Sequence, residues 1–458
     1  MVAQSEEAFK EIKNKQLAYF NSEETRSISF RKNALKKLKT AILREEANIT
    51  NALKVDLNKS FEESYLTEIS VVVQEIDFHL KNVAYWSRKK SVKTPIHLFP
   101  SKSYIQPEPL GVVLIISPWN YPFQLAMNPL IGAISSGCCA LVKVSPHASS
   151  TATIIEKIIS SCFDSKYIAV LHGDKKEMQF ILREKFDLIF FTGSTQVGRV
   201  VMKAAAENLT PVVLELGGKS PCIVGEGANL KLAAKRIIWS KTLNAGQTCI
   251  APDFVLVQES IKESLIEEMK NAIESLLGED PSKNLHYGRI IHNDAFNRLT
   301  KLIDMERVRI GGIVDENTRY ISPTVMELNS IDESIMKEEI FGPILPIIAF
   351  RGEEAMVELL KSMEKPLATY YFGNARKGQK IFERLSFGGG CINDGIIHIA
   401  NHHLPFGGVG HSGQGRYHGK ASFEVFSNFK GIASSSTYID LPFRYPPYRF
   451  FKWIKKIL

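Results

Sequence analysis

Apolar residues recur at three- and four-residue spacing through residues 4–90. The pattern is clearest in SISFRKNALKKLKTAILREEANITNALKVDL and LTEISVVVQEIDFHLKNVAYWSR. That spacing lines one face of a 3.6-residue helix, so this stretch predicts amphipathic helices. SVKTPIHLFPSKSYIQPEPLG then breaks the period with four prolines and no helical face. Alternation around Tyr104–Gln106 predicts an extended arm or an edge strand there.

The pattern changes at Leu110. VVLIIS (Val112–Ser117), ALVKVS (Ala140–Ser145), YIAVLHG and DLIFF (Asp187–Phe191) are short and almost wholly apolar. Such runs fit strands buried on both faces. Helix-like stretches separate them: Phe123–Ser135, Ser149–Ser161, a short polar helix after YIAVLHG, and QVGRVVMKAAAEN following DLIFF. Strand–helix alternation at this spacing predicts βαβ units and a parallel, doubly wound sheet. PVVLELGGKSPCIVGEG (Pro211–Gly227) reads as two strands around a Gly-Gly turn, a hinge into a second α/β unit. That unit runs through a helix at Leu230–Leu243, a loop around Cys249, the strand FVLV, a helix at Ile261–Leu277 and mixed segments to Asn393. Beyond Asn401 the chain is rich in Gly and His. Ala421–Phe429 reads as a strand before the tail LPFRYPPYRFFKWIKKIL.

Composition narrows the class without changing this picture. The chain has 458 residues, 44% hydrophobic, enough for two or three domains with large cores. Its six cysteines form no CxxC pair, which fits a reducing compartment. The polar, helical start MVAQSEEAFKEIKNK is unlike a signal sequence, and a cytoplasmic location is expected. No apolar run is long enough to predict a transmembrane helix. The net charge of +8 is spread out, with no dense basic patch, so nucleic acid is not an expected partner.

Several residues stand where chemistry is possible. Cys249, in TLNAGQTCIAPD, lies among small and polar residues between a helix and a strand. A reactive thiol needs a partly exposed, electropositive setting, which backbone N–H groups can supply; the plainer alternative is a buried structural cysteine. FFTGSTQVG joins a strand to a helix. Gly193 permits a tight turn, Gly198 permits close helix packing, and the helix N-terminus offers N–H groups to a pyrophosphate. As a bare pattern it is equally an ordinary βα turn. Lys143 ends an apolar strand, where ligands bind in such sheets, although it can also snorkel to solvent. Asn120, just past another strand end in SPWNYP, is either an oxyanion donor or a turn residue. Glu215 alternates into an apolar strand; burial there raises a carboxyl pKa and suits a general base, or else it bonds to the Gly-Gly turn. Glu339, in KEEIFGP, carries the least signal alone. The histidines at 398, 402, 403, 411 and 418 lack carboxylates or thiols at ligand spacing beyond Asp394, so no metal is expected.

Taken together, SPWNYPF, LVKVSP, FFTGSTQVG, LELGGKSP, GQTCIAPD, EEIFGP and LPFGGVGHSG resemble the aldehyde dehydrogenase superfamily, in its order and over nearly the whole chain. YHGKASFEVFS and the RYPPY tail resemble its class 3 branch, which handles medium- and long-chain aliphatic or aromatic aldehydes. The resemblance implies an α/β fold with three parts. These are a Rossmann-like cofactor domain (1–97 and 110–212), a catalytic domain (213–400), and a small β oligomerisation arm (98–109 and 420–440) ahead of a tail (441–458). The arm would pair Ser103–Pro109 with Ala421–Phe429 across a homodimer. It further implies NAD or NADP as cofactor and an aldehyde substrate. Cys249 would attack the aldehyde, Asn120 would hold the oxyanion and Glu215 would activate water. Lys143, Trp119, Gly193, Ser194, Gly198, Glu339 and Phe341 would bind the cofactor. One departure stands out: the family's KPSE pattern reads KVSP here, so Pro146 replaces the glutamate that accepts from the adenosine ribose.

The residues leave two rival activities open. A CoA-acylating enzyme would need no hydrolytic base, which Glu215 argues against. A silent binding protein on the same scaffold would have no use for Cys249.

Overall fold

The computed structural model describes residues 5–448, 450–452 and 455. Its framework is two parallel sheets in series. The first has six strands, ordered Gly413–Gln414, Val212–Glu215, Leu188–Thr192, Val112–Ile116, Cys139–Lys143, Ile168–Leu171. All neighbours are parallel except the short first strand. From Val112–Ile116 the chain winds outward through two strands, then returns to place Leu188–Thr192 on the other side. That reversal opens a crevice beyond the C-terminal ends of these two strands, the usual ligand position in such sheets. The predicted apolar runs account for it: each central strand is buried along its whole length.

The N-terminal helices Glu6–Asn21, Ile28–Arg44, Glu46–Leu57 and Ser70–Trp86 bury Phe9, Leu35, Leu38, Leu53, Val72 and Ile76 in one core with this sheet. Between the third and the last, the chain forms a short helix Phe61–Ser64 and a π-helical turn Tyr65–Ile69.

The second sheet has seven strands, ordered Val308–Ile310, Thr324–Leu328, Ile344–Phe350, Phe254–Gln258, Pro221–Val224, Ala368–Phe372, Gly389–Ile392. Only its first pair is antiparallel. Residues 216–220 carry the chain from one sheet into the other, so LELGGKSP is the crossing point. The division expected at 212/213 falls inside the strand Val212–Glu215, all of which pairs in the first sheet.

The arm differs from expectation in two ways. Its long strands are Lys102–Pro109 and Ser427–Ser434, paired antiparallel within one chain, so this pairing is not made across a dimer. Lys90–Val92 adds a third strand. The stretch read as a strand at Ala421–Phe429 begins as a helix, Lys420–Val425. Ala421, Phe423 and Val425 alternate with polar residues, which mimics a strand. A helical turn instead sends Phe423 and Phe426 together into the core, both almost fully buried. Of the expected tail 441–458, positions 449, 453, 454 and 456–458 lie outside the described residues. Among the described residues no helix is long and apolar enough to cross a membrane.

Candidate active site

Both sheets deliver side chains to one cleft of about 790 Å³. Trp119 and Asn120 follow the strand Val112–Ile116, and Gly193 and Ser194 follow Leu188–Thr192. Glu215 ends its strand on the same side. Cys249, Glu339 and Phe341 enter from the second unit.

The Cys249 turn is held from beneath by backbone geometry and amides. Asn244 and Ala245 adopt left-handed conformations, at φ 52° and 50°. The Asn244 side chain donates to the Asn120 carbonyl at 2.7 Å and to the Gln247 carbonyl at 3.1 Å. Gln247 in turn donates to Arg289 O and accepts from Ile291 N, both at 3.0 Å. Thr248 meets the Tyr121 hydroxyl at 2.7 Å, and Tyr370 donates to Ile250 O at 2.6 Å. The thiol itself is half-buried. Burial and the nearby Glu339 and Glu215 carboxylates push its pKa up, against a smaller downward pull from the Cys249 and Ile250 N–H groups. The setting is therefore acidic, where an electropositive one was expected: Glu215 from a strand end and Glu339 from a loop both act on the sulfur.

Asn120 is buried and its Nδ2 donates to Gln247 O at 3.0 Å. An amide NH2 has two N–H groups, so one remains for a ligand. Glu215 is buried, and among the described residues neither carboxyl oxygen has a hydrogen-bond partner. The alternative of a bond to the Gly-Gly turn is not what the side chain makes. Burial pushes its pKa well above the ordinary value, and Arg416 opposes this only in part.

Glu339 packs against the Gly-Gly turn. A Cβ on Gly217 would sit 2.0 Å from the Glu339 carboxylate and would displace it. Burial, and next the Asp253 charge, push Glu339 up to about 8. Phe341 takes a left-handed φ of 53° and meets Trp119 edge-on at 5.4 Å. Ser194 caps the helix Thr195–Glu207, its hydroxyl accepting from Val197 N at 3.4 Å. A Cβ on Gly198 would meet Leu216 at 2.7 Å, which accounts for the close helix packing.

A second hollow, of about 940 Å³, lies between Lys143–His147 and the helix Thr195–Glu207. Lys143 is buried, and its ammonium donates to the adjacent Val144 carbonyl at 2.8 Å. Burial pulls its pKa down to about 8, against the pull of Glu177 and Asp174. Facing it, Val197 and Val200 are 47% and 56% exposed on a helix whose buried side carries Val201 and Ala205. An apolar slot with a cation at one end fits the adenosine half of a dinucleotide. The N-terminus of that helix lies between this slot and the Cys249 cleft.

Sequence reasoning did not single out Val197, Val200 or Met178 of this slot. The signal was present in QVGRVVMKAAAEN, which carries more apolar residues than one buried face needs. The histidine-rich stretch disperses: His402 and His418 turn toward Glu75, His398 packs on Cys391 and Phe406, and His411 reaches the cleft.

A model of the Aldehyde dehydrogenase family matches residues 2–432. The chain belongs to the aldehyde dehydrogenase family. It is therefore an aldehyde-oxidising enzyme working with NAD or NADP. A 4,4'-diaponeurosporen-aldehyde dehydrogenase of Staphylococcus aureus is 46% identical over 442 residues, covering 96% of each chain. The dimeric NADP-preferring aldehyde dehydrogenase of Canis lupus familiaris is 40% identical, covering 95% of this chain and 97% of that one. Among solved structures, substrate-bound Staphylococcus aureus AldH superposes with a TM-score of 0.96 at 45% identity, over 98% and 99% of the two chains.

Proposed function

We propose that the enzyme oxidises extended apolar or aromatic aldehydes to carboxylic acids through a covalent Cys249 adduct. The observation that carries this reading is the unpartnered carboxylate of Glu215, buried beside a half-buried thiol in one cleft. A buried carboxylate with nothing to hold it is costly unless it serves a reaction.

As the Cys249 sulfur attacks the carbonyl carbon, its proton passes to the ionised Glu215 carboxylate, which releases it to solvent before the hydrolytic step; burial raises the thiol pKa, so attack needs a base. The free N–H of Asn120 and the Cys249 backbone N–H hold the developing oxyanion. A bound nicotinamide would supply the hydride acceptor, and loss of hydride from the Cys249 adduct leaves a thioester on the sulfur. Glu215 then takes a proton from water as that water attacks the thioester. Lys143 and Glu339 would hold ribose hydroxyls, Ser194 with the helix N-terminus would meet the pyrophosphate, and Trp119 and Phe341 would wall the nicotinamide end. Gly193 and Gly198 allow that approach. A CoA-acylating route would leave Glu215 without its hydrolytic task.

The preference for apolar aldehydes rests on the staphylococcal relative, named for diaponeurosporen-aldehyde, and on the class 3 motifs. A homodimer fits the canine relative named dimeric. It also fits the exposed Val92, Ile96, Leu98, Phe99 and Phe429 in and around the arm. The decisive experiment is a single-turnover assay of Glu215→Gln. A slower burst of reduced cofactor with acyl adduct on Cys249 is expected; loss of burst and adduct together would confine Glu215 to the attack step.

A further inference from the structure

Beneath Asn120 and the Cys249 turn lies a second layer of charge, supplied by the N-terminal segment from Lys59 to Glu68. Lys59 and Glu68 are fully buried and paired at 2.6 Å. The Lys59 ammonium also donates to the Asn120 carbonyl at 3.3 Å and sits 3.9 Å above the Tyr121 ring. The other Glu68 oxygen accepts from Phe123 N at 2.9 Å and Gln124 N at 3.1 Å. Those N–H groups begin the helix Gln124–Ser136, which has no capping side chain of its own. A carboxylate from another segment thus caps it. Glu63 completes the layer: its Oε1 accepts from Asn244 N at 2.8 Å, and Asn244 is the residue that braces Asn120 and Gln247. Glu63 and Glu68 lie on either side of one turn, and Glu68 falls in the π-helical segment Tyr65–Ile69. Such an insertion re-aims side chains and recurs at functional sites.

Stability alone accounts poorly for this arrangement. Replacing a buried ion pair with apolar residues of similar size is often neutral or stabilising. Here the pair's remaining bonds go to the backbone that leads on from Asn120: its own carbonyl and the peptides of 123 and 124. The carbonyl of 120 is fixed by Lys59 and Asn244, and the peptides of 123 and 124 by Glu68. With that backbone held, the side-chain amide of Asn120 donates to Gln247 O at the cleft.

We propose that Lys59, Glu68 and Glu63 are positioning residues for the oxidation, setting the Asn120 amide and the Cys249 turn in register from outside the cleft. The inference rests on the reading of Asn120 as the oxyanion donor. None of the three touches substrate or cofactor; they act through Asn120 and Asn244.

The test uses Lys59→Met/Glu68→Gln in the full chain. Both charges go together, and glutamine keeps an acceptor for the N–H groups of 123 and 124. Expected are a preserved melting curve, unchanged cofactor Kd and aldehyde KM, and a kcat lower by about ten- to thirtyfold, from loss of one charged hydrogen bond. A merely structural pair would not split kcat from KM. In an Asn120→Ala background the same double change should cost under about threefold, because the group it positions is gone. Full additivity there would overturn the proposal. An unchanged kcat in Asn120→Ala would overturn the oxyanion reading beneath it. A fall in Asn120→Ala with an unchanged kcat in the pair variant would overturn the positioning alone. If the pair variant does not fold, Glu63 carries the test. Glu63→Ala should lower kcat about tenfold, and Glu63→Gln should restore it, since its carbonyl still accepts from Asn244 N. Full kcat in Glu63→Ala would count against the proposal.

Discussion

Glu75 and Glu215 are equally hidden from water, at 1% and 3% exposure, and lead opposite electrostatic lives. Glu75 lies on the helix Ser70–Trp86. It accepts from Gly419 N at 2.7 Å and faces His402 Nδ1 at 2.7 Å and His79 Nε2 at 3.1 Å. Burial alone would raise its pKa, but the bonds from His402 and His79 hold it well below the ordinary range. Glu215 has no such partner, and burial drives it well above that range. The cations repeat the contrast. Lys59 is paired with Glu68, whereas Lys143 has a neighbouring carbonyl and makes no ion pair among the described residues. Buried charge is thus common in this molecule. In the reaction cleft, Glu215 is left without a hydrogen-bond partner.

Substitutions in the cleft should remove activity and spare the fold, and the largest effect belongs to the nucleophile. Cys249→Ala should lower oxidation by at least about a thousandfold, because no other thiol reaches the cleft. Cofactor binding, measured by fluorescence titration, should persist. Substantial turnover in a folded variant would end the comparison, since the cleft would then not be the reaction centre.

Glu215→Gln comes next. Steady-state turnover should fall by about a hundred- to ten-thousandfold, the usual range for a general base. Its melting temperature should hold or rise, because an unpaired buried carboxyl is replaced by a neutral group of the same shape. Glu75→Ala should do the reverse. It strands His79 and His402 and should cost about 3–5 kcal/mol of stability, the range for breaking a buried pair. Turnover per folded molecule should change little. Thermal unfolding and active-site titration of the two variants together decide whether paired and unpaired burial differ as argued.

The two carboxyls also predict opposite pH slopes. Glu75 is depressed in the folded state, so its stabilisation is present above the ordinary value of 4.5 and lost as pH falls below it. Glu215 and Glu339 are raised, so their contribution is full below 4.5 and lost as pH rises, through about 8 for Glu339. Glu215 is a base only when ionised, so the acyl-hydrolysis rate should climb through neutral pH into the alkaline range. Glu215→Gln should flatten part of the alkaline loss of melting temperature and abolish that climb. A wild-type rate already level from pH 5 upward would mean Glu215 ionises like an exposed acid.

The cleft was more legible in the sequence than its support. Glu215 and Lys143 stand out because each puts a charged group in or at the end of an apolar run, and Cys249 because it lies among small and polar residues between a helix and a strand. The parallel strands were legible for the same reason, since full burial leaves a continuous apolar signature. The supporting charges give no such sign. Lys59, Glu63, Glu68 and Glu75 sit at helical spacing among other lysines and glutamates, where the pattern reads as solvated surface. Their partners lie far along the chain: Asn120 for Lys59, Asn244 for Glu63 and His402 for Glu75. The acidic setting of Cys249 was hidden likewise, because Glu215 and Glu339 come to it from distant parts of the chain. Phe423 and Phe426 show the remaining ambiguity, a short segment whose spacing fits both periods.

The smallest expected effect concerns the unanswered cation. A glutamate in place of Pro146 would accept from both adenosine ribose hydroxyls and repel a 2′-phosphate. Proline supplies neither, and it lines the same hollow as Lys143 and His147. The Lys143 ammonium, held near a pKa of about 8, remains largely protonated at neutral pH and is free to meet a phosphate. The wild type is therefore expected to use NADP at least as well as NAD. Glu339 does not discriminate, because the nicotinamide ribose is the same in both. Pro146→Glu should shift preference toward NAD by about 1–2 kcal/mol, roughly ten- to thirtyfold in the ratio of kcat/KM values, for one charged hydrogen bond and one repulsion gained. The same change gives Lys143 a carboxylate neighbour and moves it from the unanswered class to the paired one. The Pro146→Glu variant should accordingly melt at the wild-type temperature or slightly above. A wild type that rejects NADP would show that some other group guards the 2′ position, and that the Lys143 charge is already answered by a partner other than phosphate.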